Sequence, residues 1–301
     1  MDRIKAAVIG YGNIGVCAFD ALKESGDMEV AGIVVKPKYL DKLQRELPDY
    51  PVVDSIDKLS KVDVALLCIP SVLVPEEAAK ILQKGINTVD SYDIHGENLV
   101  NMVKRLDSIA KEKGSVSISG AGWDPGTDSM VRAIFEIMAP KGITYTNFGP
   151  GMSMGHTVEA KKTPGVKKAL SLTVPKGLGF HKRLVYVELA GDARFDAVEK
   201  AIKENPYFKK DETHVIPVED VDRLMDNGHG VLMERKGVAG KTHNQQMEYR
   251  LKITNPAVTA QVMVCAARAA MKQKPGSYVP LEIPLIDYLP GDRWEIINRL
   301  V

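Results

Sequence analysis

Residues 4–9 are a short apolar run, and Gly10-Tyr11-Gly12-Asn13-Ile14-Gly15 follows it with no gap. Three glycines at that spacing, set between a strand and a helix, constrain the chain more than any other feature. Gly10 permits a tight turn, Gly12 lets a pyrophosphate lie against bare backbone, and Gly15 lets helix and strand approach closely. Residues 16–25 read as the helix, with Ala18, Phe19 and Leu22 at helical spacing. Its N-terminus offers unpaired N–H groups and a partial positive charge to phosphates. The alternative, a tight turn with no ligand, needs no flanking strand and helix at all.

The alternation continues. Residues 30–35 form a second strand rich in β-branched side chains, 40–47 a helix, 62–70 a buried strand and 74–83 a helix opened by Pro75. A strand at 87–90, a helix at 99–113 and a strand from 115 to 119 complete a pattern that implies a doubly wound parallel sheet. After Gly122 the texture changes to α+β. One helix is expected over 126–138, a glycine-rich loop over 148–156, strands at 169–174, 183–189 and 249–253, and a helix at 195–204. The Ala-rich stretch 256–271 reads as a long helix returning to the first domain. The expected division is 1–122 for dinucleotide binding, 123–255 for substrate binding and dimerisation, and 256–301 for the return.

With 40 Lys+Arg against 39 Asp+Glu in 301 residues, the net charge of +1 argues against nucleic acid as a partner. No apolar stretch reaches the roughly 18–20 residues of a transmembrane helix, so no membrane partner is expected. Cys17, Cys68 and Cys265 are few, scattered and odd in number. They suggest free thiols in a reducing compartment, the cytoplasm, and no metal site.

After the second strand, an NAD enzyme usually presents an acid to the ribose 2′-hydroxyl. This chain has Val35-Lys36-Pro37-Lys38 instead. Lys36 and Lys38 suit a 2′-phosphate, so NADP (as NADPH in the reverse direction) is expected; the alternative is that both are solvated surface lysines. Asp90-Ser91-Tyr92-Asp93 and Gly122-Trp123-Asp124-Pro125-Gly126 fall at strand C-termini, where such sheets bind ligands. Asp93 and Asp124 together would suit a cationic amine. Equally, Asp124 caps the next helix and Asp93 starts a turn.

These segments, with Phe148-Gly149-Pro150-Gly151-Met152-Ser153-Met154-Gly155-His156, His181-Lys182-Arg183, Gly228-His229-Gly230, Asn255-Pro256 and Tyr288-Leu289-Pro290-Gly291-Asp292, resemble the meso-diaminopimelate dehydrogenases from end to end. The phrasing of the second half is most similar to the shorter members, whose substrate range is broader. The resemblance implies a Rossmann-type doubly wound parallel sheet with an inserted α+β substrate and dimerisation domain, and a homo-oligomer, dimer or larger. It implies NADP-dependent, reversible oxidative deamination of the D-centre of meso-2,6-diaminopimelate to L-2-amino-6-oxopimelate (which cyclises to tetrahydrodipicolinate) and ammonia, in lysine biosynthesis.

Carried over residue by residue, Asp93 and Asp124 would hold the reacting amine, and either would take its proton if burial or the other's charge raised its pKa. Trp123 and Phe148 would wall the pocket, with Met154 and Gly155 near the D-centre carboxylate. Thr173, Arg183, His229 and Asn255 would bind the distal L-centre. From the residues alone, Thr173 reads as an ordinary strand residue, Arg183 as a surface cation and His229 as a turn residue. The cofactor would lie along Gly10, Tyr11, Gly12, Asn13, Ile14 and Gly15, then Cys68, Pro70, Ser71, Tyr92, Ala121 and Gly122. Two departures, Val16 after Gly15 and the absence of an arginine pair near Lys36, leave use of NAD open. Rival readings are a dehydrogenase of another diamino acid or of D-amino acids generally, or a non-catalytic NADP-binding sensor.

Overall fold

The computed structural model describes residues 3–224 and 228–301. The opening run forms β1 (Ile4–Ile9), and α1 (Asn13–Lys23) starts inside the glycine motif with Gly12 as its N-cap. Next come β2 (Met28–Val34), α2 (Pro37–Glu46), the short β3 (Val52–Val53), β4 (Val64–Leu67), α3 (Val74–Leu82), β5 (Asn87–Asp90), α4 (Glu97–Lys113) and β6 (Val116–Ile118). Proline sits in the first turn of both α2 and α3, where a missing N–H is no loss. All pairings among these strands are parallel. Each position of β4 is buried, as a strand covered on both faces requires. Along β1, Ala6 and Val8 join one apolar layer while Ala7 and Ile9 join the other, so cores lie on both faces of the sheet.

After β6, Trp123–Thr127 makes a wide helical turn that runs into α5 (Asp128–Met138). The single helix expected over 126–138 is thus two pieces, and Asp124 holds an extended conformation just before it (φ −136°, ψ 123°).

The chain divides into two compact units, Met1–Ala133 with Pro256–Val301, and Ile134–Asn255. The cut falls after Ala133 rather than after Gly122, because Trp123–Thr127 packs on the turn Pro280–Glu282 and Met130 packs on the first unit's core. The second unit holds β7 (Lys141–Phe148), β8 (Gly151–Met152), α6 (Met154–Lys161), β9 (Val166–Gly177), β10 (Phe180–Leu189), α7 (Phe195–Glu204), β11 (Glu212–Pro217), β12 (His229–Ala239) and β13 (Thr242–Ile253). One of its sheets runs β11-β10-β9-β8 and the other β13-β12-β7. Val185 and Val187 meet Val198, Ile202 and Phe208 in its core.

The chain then returns through α8 (Asn255–Ala270), β14 (Gly276–Tyr278) and α9 (Arg293–Leu300). β14 pairs with β6 and completes the first sheet, in the order β14-β6-β5-β4-β1-β2-β3. α8 lays Ala260, Met263, Val264 and Ala267 into that unit's core. From the same helix the buried Arg268 donates to both carboxylate oxygens of Asp27 and to the Tyr288 carbonyl. Among the described residues no helix is long and apolar enough to cross a membrane, and no His, Cys, Asp and Glu side chains cluster as metal ligands.

Candidate active site

In the first unit the glycine turn makes a cradle. Gly10 has φ +91°, and a Cβ there would come within 2.6 Å of the Cys68 carbonyl oxygen. A Cβ at Gly15 would collide with the Gly10 carbonyl, so β1 and α1 can approach only through these two glycines. A Cβ at Gly12 would meet nothing within 4 Å, and no side chain caps α1. Bare backbone and uncapped N–H groups therefore face a cleft of about 830 Å³, lined among others by Tyr11, Lys36, Tyr39, Lys42, Cys68 and Pro70. Cleft and cradle fit a dinucleotide with its pyrophosphate on the helix N-terminus.

Gly10, Tyr11, Gly12, Lys36, Cys68 and Pro70 come together as the sequence suggested, while Asn13, Ile14 and Gly15 form the first turn of α1 behind them. Lys38 is not in the lining; its ammonium stands 4.7 Å from the centre of the Tyr39 ring. Lys42, one helical turn after Lys38, lines the cleft in its place. Burial pushes the Cys68 thiol up to about 12, so it offers shape rather than a thiolate.

The fully buried Asp90, at the end of β5, positions the acid-bearing segments. Its carboxylate accepts the Tyr92 N–H (3.0 Å), the Gly120 N–H (3.0 Å) and the Ser119 hydroxyl (2.9 Å), and its carbonyl accepts the Ala121 N–H (2.6 Å). Burial raises the Asp90 pKa, and those three donors oppose the rise. One carboxylate thus fixes the turn leading to Asp93 and the turn leading to Gly122, Trp123 and Asp124.

Asp93 is exposed, and its Oδ1 accepts the Ser71 hydroxyl at 2.6 Å. Asp124 is no helix cap. Its side chain is 11% exposed, Oδ1 accepts from Arg132 Nη2 at 3.1 Å, and Oδ2 faces His95 Nε2 at 3.5 Å. A second raised carboxyl besides Asp90 is Asp128, pushed up to about 7 first by burial and then by the Asp124 charge, with Arg132 opposing. Only the folded chain reveals it, because an acid in a helix's first turn ordinarily faces water.

In the second unit the expected loop over 148–156 contains β8 and the start of α6. Gly149 has φ +97° and packs against the Thr173 carbonyl, and its N–H donates to the Gly230 carbonyl at 2.7 Å. Gly151 pairs with Thr173 and lies directly on Gly228, where any side chain would collide. His229 is accordingly the first residue of β12, not a turn residue, and pairs with Ile253, two residues before Asn255. Burial lowers the His229 pKa, favouring the neutral imidazole. Phe148 pairs with Val231 beside it. Gly155 is exposed on α6, and the Met154 side chain lies outside the described residues.

Arg183 is no surface cation. It sits opposite Thr173 across β9 and β10, buried, with Nη1 donating to Thr173 Oγ1, Nε to Asp211 Oδ2 (2.7 Å) and Nη2 to His181 (3.0 Å). Burial opposes the Asp211 charge, but the Arg183 hydrogen bond and charge, with His181 and His156 behind them, hold its carboxyl below the usual range. Nothing in the sequence marked Asp211 or Arg132, since each acts on a partner distant along the chain or across a turn.

A parallel sheet with a glycine cradle at its centre, and acids at the ends of its neighbouring strands, defines a Rossmann-type dehydrogenase that works with a nicotinamide cofactor. Residues 122–180 match the diaminopimelic acid dehydrogenase C-terminal domain. The chain is 55% identical to the meso-diaminopimelate D-dehydrogenase of Bacteroides fragilis across the whole of both chains. Among solved structures it superposes on the Corynebacterium glutamicum diaminopimelate dehydrogenase bound to diaminopimelate, with a TM-score of 0.87, 29% identity and complete coverage of both chains. An engineered D-amino acid dehydrogenase bound to NADP+ gives a TM-score of 0.80 at 27% identity, covering 99% of this chain and 100% of that one. The chain belongs to the meso-diaminopimelate D-dehydrogenase family.

Proposed function

We propose that this chain oxidatively deaminates the D-configured carbon of meso-2,6-diaminopimelate, yielding L-2-amino-6-oxopimelate and ammonia, and that it runs reversibly in lysine biosynthesis in the cytoplasm as a homodimer or larger oligomer. The observation that carries the reading is the end-to-end identity with the Bacteroides fragilis enzyme. The buried Arg183–Thr173 pair and the acid pair Asp93 and Asp124 agree with it chemically.

When bound, the nicotinamide cofactor supplies the hydride acceptor. The chain's task is to present a neutral amine, since an ammonium carbon does not release hydride. Asp124, the acid withdrawn from water, takes the ammonium proton at its carboxylate, while the exposed Asp93, held by Ser71, orients the amine. The oxidised carbon is then open to water, and ammonia leaves. Arg183 has five N–H groups, of which three serve Asp211, Thr173 and His181. The two remaining N–H groups suit the distal carboxylate, with His229 and Asn255 completing that end. Anchoring there orients the carbon that reacts.

Assaying NADP reduction with the meso, LL and DD isomers of diaminopimelate and with D-alanine tests this reading. Turnover confined to the meso isomer is expected; comparable turnover of D-alanine would favour a general D-amino acid dehydrogenase, and none at all a sensor. For the cofactor, NADP is the proposed partner, with Lys36 and Lys42 at its 2′-phosphate. Lys42→Ala should raise the KM for NADP about tenfold and leave that for NAD within about twofold, by loss of one charge-assisted contact. Equal effects on both cofactors would place Lys42 elsewhere.

A further inference from the structure

Asp128 is wholly buried, and neither of its carboxylate oxygens has a hydrogen-bond partner among the described residues. Buried carboxylates are almost always satisfied, so an orphan beside a candidate acid calls for a role. It stands in the first turn of α5, four residues after Asp124 and four before Arg132, and Arg132 donates to Asp124 rather than to Asp128.

Among the described residues, Asp124 and Arg132 are the charges that act on it. Asp124 and Arg132 belong to its own stretch, and His95 comes from the loop after β5 and meets Asp124. Glu282, on the turn packed against Trp123–Thr127, has its carboxylate engaged by the Val279 N–H.

We propose that Asp128 is a positioning residue for proton transfer, a second carboxyl whose own charge state sets how strongly Asp124 holds a proton. The proposal rests on the reading of Asp124 as proton acceptor. Arg132 Nη2 lies 3.1 Å from one carboxylate oxygen of Asp124 and His95 Nε2 lies 3.5 Å from the other. A negative charge on Asp128 strengthens Asp124 as a base. Desolvation keeps Asp128 neutral at lower pH, where Asp124 serves as the anion that binds the amine. As pH rises through about 7, Asp128 ionises and Asp124 becomes the better acceptor. Only a proton moves, from substrate ammonium to Asp124.

The test compares the pH profile of kcat for meso-diaminopimelate oxidation in the wild type and in Asp128→Asn. The wild type should show a rise near pH 7. Asp128→Asn should lose that rise, falling about tenfold below wild type at pH 9 while staying within about twofold at pH 6, which is the effect of one neighbouring charge. Cofactor affinity, by fluorescence titration, should not change. Two further measurements need no turnover. Carbon-13 NMR of labelled aspartate carboxyls should show a group titrating near 7 in the wild type that is missing from Asp128→Asn, which separates it from Asp90. The melting temperature of Asp128→Asn minus that of the wild type should grow as pH rises from about 4 to about 7, because the folded wild type retains a proton at Asp128 that the unfolded state releases. A neutral inflection in kcat that persists in Asp128→Asn, or no aspartate titrating near 7 that is missing from the variant, overturns the proposal and leaves the functional reading intact. A wild type inactive on the meso isomer overturns both.

Discussion

Asp124→Asn should lower kcat for meso-diaminopimelate oxidation by about 10³-fold while leaving the cofactor dissociation constant within about twofold. General-base groups contribute roughly 10²–10⁴-fold, and asparagine keeps the shape of the side chain but cannot take a proton. The same change removes the anion that Arg132 and His95 address, so the amine loses both its acceptor and its counter-charge. The glycine cradle and the cleft at Lys36 and Lys42 are built from other residues, which is why cofactor binding should survive. Single-turnover rates with each cofactor form would separate chemistry from binding. Turnover close to wild type would remove Asp124 from the mechanism and shift the task to Asp93.

Arg183→Leu should fail differently. Raising the KM for meso-diaminopimelate by on the order of 100-fold is the expected outcome of losing a two-point, charge-assisted contact worth about 3 kcal/mol. The kcat/KM for D-alanine, which has no distal carboxylate, should fall much less, so the ratio of the two substrates is the diagnostic quantity. Stability should drop as well. Asp211, about one-fifth exposed, would keep its charge without its main partner, at a cost of about 1–3 kcal/mol. Arg183→Leu combined with Asp211→Leu should recover much of the stability and none of the substrate preference. If the single variant kept the meso preference, the distal anchor would have to be sought at other residues.

The first unit was largely legible because its signals are local. The continuous apolar run of β4, the glycine spacing at β1 and the proline-opened α3 each announce themselves within a few residues. The second unit was less so. Its glycines at 149, 151, 228 and 230 read as turns, whereas they thin the backbone so that β8 can lie against β9 and the start of β12. Density of glycine cannot distinguish a flexible loop from close strand packing. At the site, Asp93, Asp124, Thr173 and Arg183 were named from their motifs. Ser71 was named only along the cofactor, and Arg132, Asp128 and Asp211 were not named, because each is defined by what folds against it. Lys38 was named and Lys42 was not, because the two differ by one helical turn, which a linear reading does not resolve.

The placement of β14 also bears on the order in which the chain can be made. Strands β1 to β6 leave the ribosome first, yet their sheet lacks its edge strand, the α8 layer and the Arg268 clamp on Asp27 until the last part of synthesis. The intervening unit, Ile134–Asn255, is continuous and has all its strands once residue 255 has emerged. A later segment can therefore finish folding before an earlier one. Nascent chains arrested past residue 255 should carry a protease-resistant second unit while the nucleotide-binding half is still open to cleavage, and early protection of that half would refute this order.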